Sequence, residues 1–332
     1  MKRRVIILSL FVAAGSILLS GCSKSKTAAT SSGNNGNGSE AAAGSGASDQ
    51  PVDMQIKWAI GRKYPMHIEL SQSTKTDVPN QPQPVLQEMN LSQDLDISPL
   101  KQLDGGGTQL ELQFKNQTMN VSQGGQTVLT FNSTQSPGQD GNNPAVAVLR
   151  TMIGARIQYF TDANGKVERM EGVDTLAQRI AATGQPRGES TFKQMFGEDT
   201  LRRYCSFADA MPNRAVNVGE SWPFQKDLPT AIGILALDMK YTFKNWEQYN
   251  GRKCAHIVGA GRLSTKTVST ATGAMVEVEK GTITGDFWFD PALGMIVCFS
   301  DTEDMALKIT TRAEAMKTQF NQKIRYALVD AP

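Results

Sequence analysis

The chain has 332 residues, with 34 Lys+Arg against 32 Asp+Glu, 39% hydrophobic residues and only two histidines, His67 and His256. That is enough apolar material for one large domain or two modest ones, and two histidines exclude any site built on three imidazoles. The one long apolar run lies at the extreme N-terminus, which excludes a chain that crosses a membrane repeatedly with helices.

Lys2, Arg3 and Arg4 precede an apolar stretch of 15 residues, Val5 to Leu19. It is too short for a comfortable span and has the length of a signal-peptide core. Leu19-Ser20-Gly21-Cys22 then resembles the bacterial lipobox, in which the cysteine thiol takes a diacylglyceryl group and the chain is cut just before it. Residues 1–21 are therefore expected to be a lipoprotein signal peptide and Cys22 the site of lipid attachment. Two or three acyl chains, palmitate among them, give a firm membrane anchor where one gives marginal binding. Ser23, rather than Asp, follows the cysteine. By the sorting pattern of enteric bacteria this points to the outer membrane, facing the periplasm, with the inner membrane and the cell surface as alternatives. Three of the 34 basic residues and no acidic one lie in 1–21, so the mature chain carries 31 against 32. No basic patch argues for a nucleic-acid partner.

Residues 23–50 are almost wholly Ser, Gly, Asn, Ala and Thr, too poor in apolar surface to offset their ordering entropy. With Cys22 they make 22–53 a tether, whose 28 Ser/Gly-type residues span roughly 30 Å root-mean-square. The remainder, 54–332, is expected to be a single β-rich envelope domain. Its period is two: Met66, Ile68 and Leu70 share a face, as do Met89, Leu91, Leu95 and Ile97, then Leu110, Leu112 and Phe114, and later Met239, Tyr241 and Phe243. Asp104–Gly107, Asn164-Gly165, Asn250-Gly251 and Asp290–Gly294 supply hairpin turns, so the connections read as antiparallel. Helical spacing appears only in the middle, over Val173–Thr183 and over Glu198–Met211 with Asp199 or Thr200 as cap. A faint likeness between the hairpins at Asp162 and Asp290 suggests two pseudo-repeated halves, 54–172 and 213–315, joined by a helical segment 173–212.

Four segments carry a wider resemblance: Gly61-Arg62-Lys63-Tyr64, Asp162 to Val167, Val216-Asn217-Val218-Gly219-Glu220-Ser221-Trp222, and Thr284 to Asp290 with Gly294 to Val297. Over roughly 55–312 the chain resembles the bacterial lipoprotein family of unknown function numbered 6263. That resemblance implies no activity and no catalytic residue. The plan is also similar to LolA-like lipoprotein half-barrels, which implies a curved antiparallel sheet cradling helices.

The residues themselves give little chemistry. Phosphate-binding loops, the Gly-x-Ser-x-Gly elbow, His-Glu-x-x-His and Cys-x-x-Cys are all missing. His67 falls opposite the apolar residues of its strand, in solvent beside Glu69. Cys254 and His256 share a strand face but sit about 7 Å apart, too far for a nucleophilic pair. Asp162-Ala163-Asn164-Gly165 echoes a calcium loop but has Val173 where the bidentate Glu belongs, so a hairpin turn is the better reading. The cluster Asp301-Thr302-Glu303-Asp304 reads as a solvated strand, with weak divalent-cation binding as the alternative. Cys205, Cys254 and Cys298 allow three single disulfides or free buried thiols. Trp288 is a large apolar side chain on the polar face of its strand. It is either a ligand- or partner-contact residue or ordinary packing.

The expected fold is mainly β, a large curved antiparallel sheet or half-barrel of about ten strands with two or three central helices. The expected role is non-enzymatic, needing no cofactor and no metal. The protein binds a hydrophobic ligand or a polypeptide, and otherwise acts as an envelope scaffold through protein contacts. What separates these readings is whether the concave face is open or filled by Leu201, Tyr204 and Met211.

Overall fold

The computed structural model describes residues 50–329 apart from 80, 142, 185–187, 231–232, 269–274 and 311–313. The signal peptide, Cys22 and nearly all of the tether lie outside the described residues. In chain order the elements are β1 (Val52–Asp53), β2 (Tyr64–Asp77), β3 (Val85–Gln102), β4 (Thr108–Gln123), β5 (Gln126–Asn132), α1 (Pro144–Met152), β6 (Arg156–Thr161), β7 (Val167–Glu171), α2 (Val173–Ala182), α3 (Gly188–Phe196), α4 (Glu198–Arg203), β8 (Ala215–Val216), β9 (Ser221–Thr230), β10 (Gly233–Tyr249), β11 (Arg252–Val268), β12 (Met275–Asp290), β13 (Met295–Thr310) and β14 (Ala315–Leu328).

Twelve strands form one antiparallel sheet in the order β7-β6-β4-β3-β2-β14-β13-β12-β11-β10-β9, with β5 also on β4. The first and last long strands, β2 and β14, pair at its centre from Asp77↔Lys317 to Met66↔Leu328. The chain thus starts in the middle, walks outward to β7, crosses through the helices, re-enters at β9 and walks back. Among the described residues β7 pairs only with β6 and β9 only with β10, so the sheet curls without closing. Pro223 lies on β9, where an edge tolerates a residue without an amide donor.

The period-two runs form strands as their spacing dictates, with apolar side chains inward. Met66, Ile68, Leu95, Ile97, Leu110, Leu112, Phe114, Met239, Tyr241 and Phe243 all lie in the core. The marked turns also form: Asn250 and Gly251 both take positive φ, and Asp290 Oδ1 accepts from the amides of Ala292 and Leu293.

The helices differ from expectation. Among the described residues there are four α-helices rather than two or three. α1 is only nine residues long and hides its period behind Asn143, whose side chain caps it, and Pro144 at the first turn. The helix expected over Glu198–Met211 stops at Arg203 and is capped by Gly197 without a side-chain bond, not by Asp199 or Thr200. Beyond it the chain turns tightly, with Ser206 N bonding Arg203 O and Met211 N bonding Ala208 O. Two causes act together. Ser206 Oγ bonds Arg202 O, offering the backbone an alternative partner. Cys205 through Met211 are also all buried, which an amphipathic helix with one wet face cannot achieve.

This segment bridges the two free edges. Tyr159 Oη on β6 donates to Leu201 O at 2.7 Å, Arg202 donates to Val167 O on β7 at 2.8 Å, and Trp222 Nε1 on β9 donates to Ala210 O at 2.8 Å. Residues 52–58 close the same end as a strap, burying Val52, Met54, Ile56 and Trp58. Lys57 N bonds Gly294 O at 2.8 Å. Gly294 has φ +65°, and a Cβ there would meet Lys57 Cβ at 2.6 Å, so both conformation and space demand glycine.

Phe207 ties strap, bridge and sheet together through edge contacts with Trp58 and Tyr326, at 6.1 and 6.2 Å between ring centroids. Phe207→Ala is expected to cost about 3–5 kcal/mol of unfolding free energy, read as a fall in the urea midpoint at unchanged slope.

Candidate functional site

The inner face of the sheet is layered, because antiparallel register aligns inward residues across neighbouring strands. One layer runs Gln117–Gln93–Ile68–Tyr326–Phe299–Phe287, the next Met119–Leu91–Leu70–Ile324–Asp301–Gly285, and the next Val121–Met89–Gln72–Gln322–Glu303–Ile283. Polar groups therefore stand inside an apolar wall. Gln93, Gln117, Asp301, Glu303 and Gln322 are all buried. Tyr204 Oη donates to Gln93 Oε1 at 2.9 Å, and Gln93 Nε2 donates to Gln117 Oε1 at 3.2 Å.

Asp301 and Glu303 correct the expectation of a solvated strand. Of the three acids only Asp304 points outward, where it pairs with Lys280. The signal that places the other two inside was present: they share parity with Phe299, Met305, Leu307 and Ile309, all buried. Burial, reinforced by the charges of Glu303 and Asp286, holds the Asp301 carboxyl well above the usual carboxylate range. Its Oδ1 has no hydrogen-bond partner, and neither have Gln322 Nε2, Gln117 Nε2 and Tyr326 Oη. Gly285, opposite Asp301, makes room for it, since a Cβ there would lie 1.8 Å from Asp301 Oδ1.

The bridge meets this wall with charge. Burial lowers the Arg203 guanidinium, while Asp199 and Glu303 pull it back up. Burial likewise brings the Lys226 ammonium on β9 down to about 8, with Asp209 opposing. Leu201, Phe207, Ala208 and Met211 are buried, and the Tyr204 ring packs edge-on against Phe114 at 5.6 Å. The concavity is thus filled at the helix end. It is more accessible at the other end, where the inward residues Gln72, Thr74, Met89, Leu91 and Leu129 are half-buried.

The outer face carries the residues singled out from the sequence. Trp288 is half-buried between Tyr249 and His256, with ring centroids at 4.9 and 5.0 Å, and its Nε1 donates to Glu247 at 2.8 Å. Packing explains its place on the polar face. His256 Nε2 lies 2.7 Å from Asp286 and Nδ1 3.3 Å from Glu247. His67 Nδ1 lies 2.7 Å from Asp94, with Glu69 3.7 Å from its Nε2. Arg325 links the two groups, donating to Tyr249 Oη at 3.0 Å and standing 3.6 Å from Glu69. Both rings are oriented by carboxylates. The Cys254 thiol is pushed up to about 11 by burial, which disfavours a nucleophilic thiolate beside His256.

Cys205, Cys254 and Cys298 are free and buried. The Asp162 loop is a hairpin turn whose carboxylate accepts from the amides of Asn164 and Lys166 at 2.9 and 2.8 Å. Among the described residues no group of three or more His, Cys, Asp or Glu could hold a metal ion.

The family model described as "Family of unknown function (DUF6263)" matches residues 105–296. No curated protein sequence matches the chain. Among solved structures, lipovitellin, from work on its lipid–protein interactions, is similar at 10% identity with a TM-score of 0.45, covering 83% of this chain and 26% of its own. This chain therefore spans about a quarter of the lipovitellin chain. DynF of the dynemicin pathway of Micromonospora chersina is similar at 5% identity and a TM-score of 0.19, over 84% of this chain and 86% of that one. A DUF1329 family protein from Desulfovibrio piger is similar at 6% identity and a TM-score of 0.15, over 80% and 87%.

The raised Asp301 carboxyl makes stability depend on pH. The folded protein keeps this proton where the unfolded chain loses it, so stability falls as pH climbs from the ordinary aspartate value of about 3.9 towards the folded one. Asp301→Asn removes that loss. The variant is expected to match the parent near pH 3 and to exceed it increasingly towards pH 8, measured by denaturant unfolding across that range.

Proposed function

The chain belongs to this family of unknown function, and we propose that it is an envelope lipoprotein, anchored through lipid on Cys22, that binds an apolar ligand on the inner face of its sheet without catalysis. One observation carries the reading. Inward residues are sealed by the bridge and strap at the helix end, yet Met89, Leu91 and Leu129 remain half-buried at the other. A concave apolar wall with an accessible end and a few convergent polar groups suits a small amphiphile. The tether would enter the fold through the strap at the sealed end, so a lipid on Cys22 would keep that end within roughly 30 Å root-mean-square of a bilayer. The expected place is the outer membrane, facing the periplasm.

The packing of Leu201, Phe207 and Met211 in the concavity favours a second reading, an envelope scaffold that acts through protein contacts and carries no small ligand.

Two measurements test this. Cys22→Ala should abolish metabolic labelling by palmitate and leave the chain with its signal peptide uncut; a labelled variant would refute the anchor. The whole mature chain, secreted with Cys22→Ala behind a cleavable signal, should carry a co-purifying amphiphile near one per chain by native mass spectrometry and organic extraction. A bare mass and an empty extract would favour the scaffold.

A further inference from the structure

We propose that the exposed pair Ile60 and Leu100, with the basic residues Arg62, Lys63 and Lys101 around it, is a docking surface for an anionic phospholipid bilayer. This rests on the lipid-anchor part of the reading above and assigns the face that an anchored chain turns to its membrane.

Local backbone devices turn both apolar side chains outward. Residues 59–62 make a tight turn, in which Arg62 N bonds Ala59 O at 3.1 Å and Gly61 takes φ +79°. Ile60 stands at its tip, 48% exposed, and a Cβ on the neighbouring Gly61 would meet nothing within 4 Å. Leu100 is the extra residue of a β-bulge. Pro99 pairs with Leu110 and Lys101 with Gln109, which leaves Leu100 unpaired in the ladder and 43% exposed. Turn and bulge lie side by side, because Gly61 N donates to Pro99 O at 3.2 Å. Val329 adds a third exposed apolar residue at the same rim, where its amide donates to Pro65 O at 2.8 Å. Polar residues would serve a turn tip and a bulge at less cost in water, so adjacent apolar ones mark a contact surface.

The charge around the pair favours anionic head groups. Arg62, Lys63 and Lys101 are exposed. Arg62 lies over the Tyr64 ring at 5.5 Å, and Lys63 and Lys115 stand 3.5 and 3.7 Å from Asp96. These four cations outnumber the nearby acids, Asp96 and Asp104. Apolar area and basic charge together are what hold a protein on an anionic interface.

The tether selects a bilayer as the occupant. Val52 pairs with Val216 at this end of the sheet, and the strap runs from there to Ile60. The chain between Cys22 and the strap therefore joins the fold on the same side as Ile60 and Leu100. Leu86, Val128 and Met275 are exposed too, but at the far end of the sheet. A short flexible tether gives an effective concentration on the order of millimolar, which lets a surface too weak to bind from solution stay docked.

The test uses the lipidated mature chain in vesicles. Its lipid occupies Cys22 and its other cysteines are buried, so Leu100→Cys and, as control, Val128→Cys each offer one reactive thiol for the fluorophore NBD. In vesicles of phosphatidylcholine with one-third phosphatidylglycerol, the label at 100 is expected to brighten and shift to the blue, while the label at 128 stays as in water. The unlipidated Cys22→Ala chain labelled at 100 should show the same change only at about millimolar lipid. Arg62→Gln with Lys101→Gln should raise that lipid concentration about 20–30-fold, at about fivefold per charge, and Ile60→Asp should abolish the change. A water-like label at 100, equal brightening at 128, or binding indifferent to phosphatidylglycerol and to the two basic residues would overturn the docking surface. Failure of the anchor reads separately, as a parent chain that takes up no palmitate; the Cys22→Ala chain then still decides the surface, which stands if Ile60→Asp abolishes its binding at millimolar lipid and falls if the chain does not bind.

Discussion

Among the described residues the two edges of the great sheet do not pair, and the gap between them is bridged by a segment that is neither strand nor, for most of its length, helix. Residues 201–211 accept hydrogen bonds from Trp222 on one edge strand, β9, and from Tyr159 on β6, while Arg202 donates to Val167 on the other edge strand, β7. A continuous barrel would have satisfied its edges by strand pairing. Here the closure is local. The inner face of twelve strands depends on a few bonds and on the side chains of Leu201, Phe207 and Met211 for its shelter from water at that end. The strap at 52–58 adds a second cover, pinned by Lys57 to the Gly294 turn.

The wall beneath that closure is not uniformly apolar. A buried acid without a partner disfavours the folded state, and a core of this size would be more stable with apolar residues at 301 and 322. The charged seam of Arg203, Asp209 and Lys226 lies between the bridge and the same wall. The closure and the buried polar groups therefore meet at one place, where Glu303 influences the bridge through Arg203 and borders Gln322 through the ladder.

The outer strip works in the opposite sense. His67, Arg325, Tyr249, Trp288 and His256 are joined edge to edge across six strands by stacking and carboxylate contacts. It spans the β2–β14 seam, where the outward-going and returning halves of the chain meet. A row of stacked and hydrogen-bonded groups there holds strands of distant sequence in register.

Much of this was legible from local pattern. Period two exposed most long strands, because a sheet with one wet face alternates its residues, and Asp-Gly and Asn-Gly pairs exposed the turns, because positive φ needs them. The antiparallel class and the family followed from the same segments. What stayed hidden depends on contacts far apart in the chain. Asp301 and Glu303 look like a solvated cluster until the parity of β13 is tied to burial on both sides. Trp288 leaves contact and packing both open until the stacking of Tyr249 and His256 on it is seen. Residues 204–211 keep a helical spacing but lose the helix, because burial on every side comes from β6, β9, the strap and β14 together. The sequence by itself determined which residues alternate and where the chain turns. Only the tertiary structure decided which strands are neighbours, that the sheet stays open and which acids lie inside it, since these depend on pairings between β2 and β14 or β6 and α4 that no local window contains.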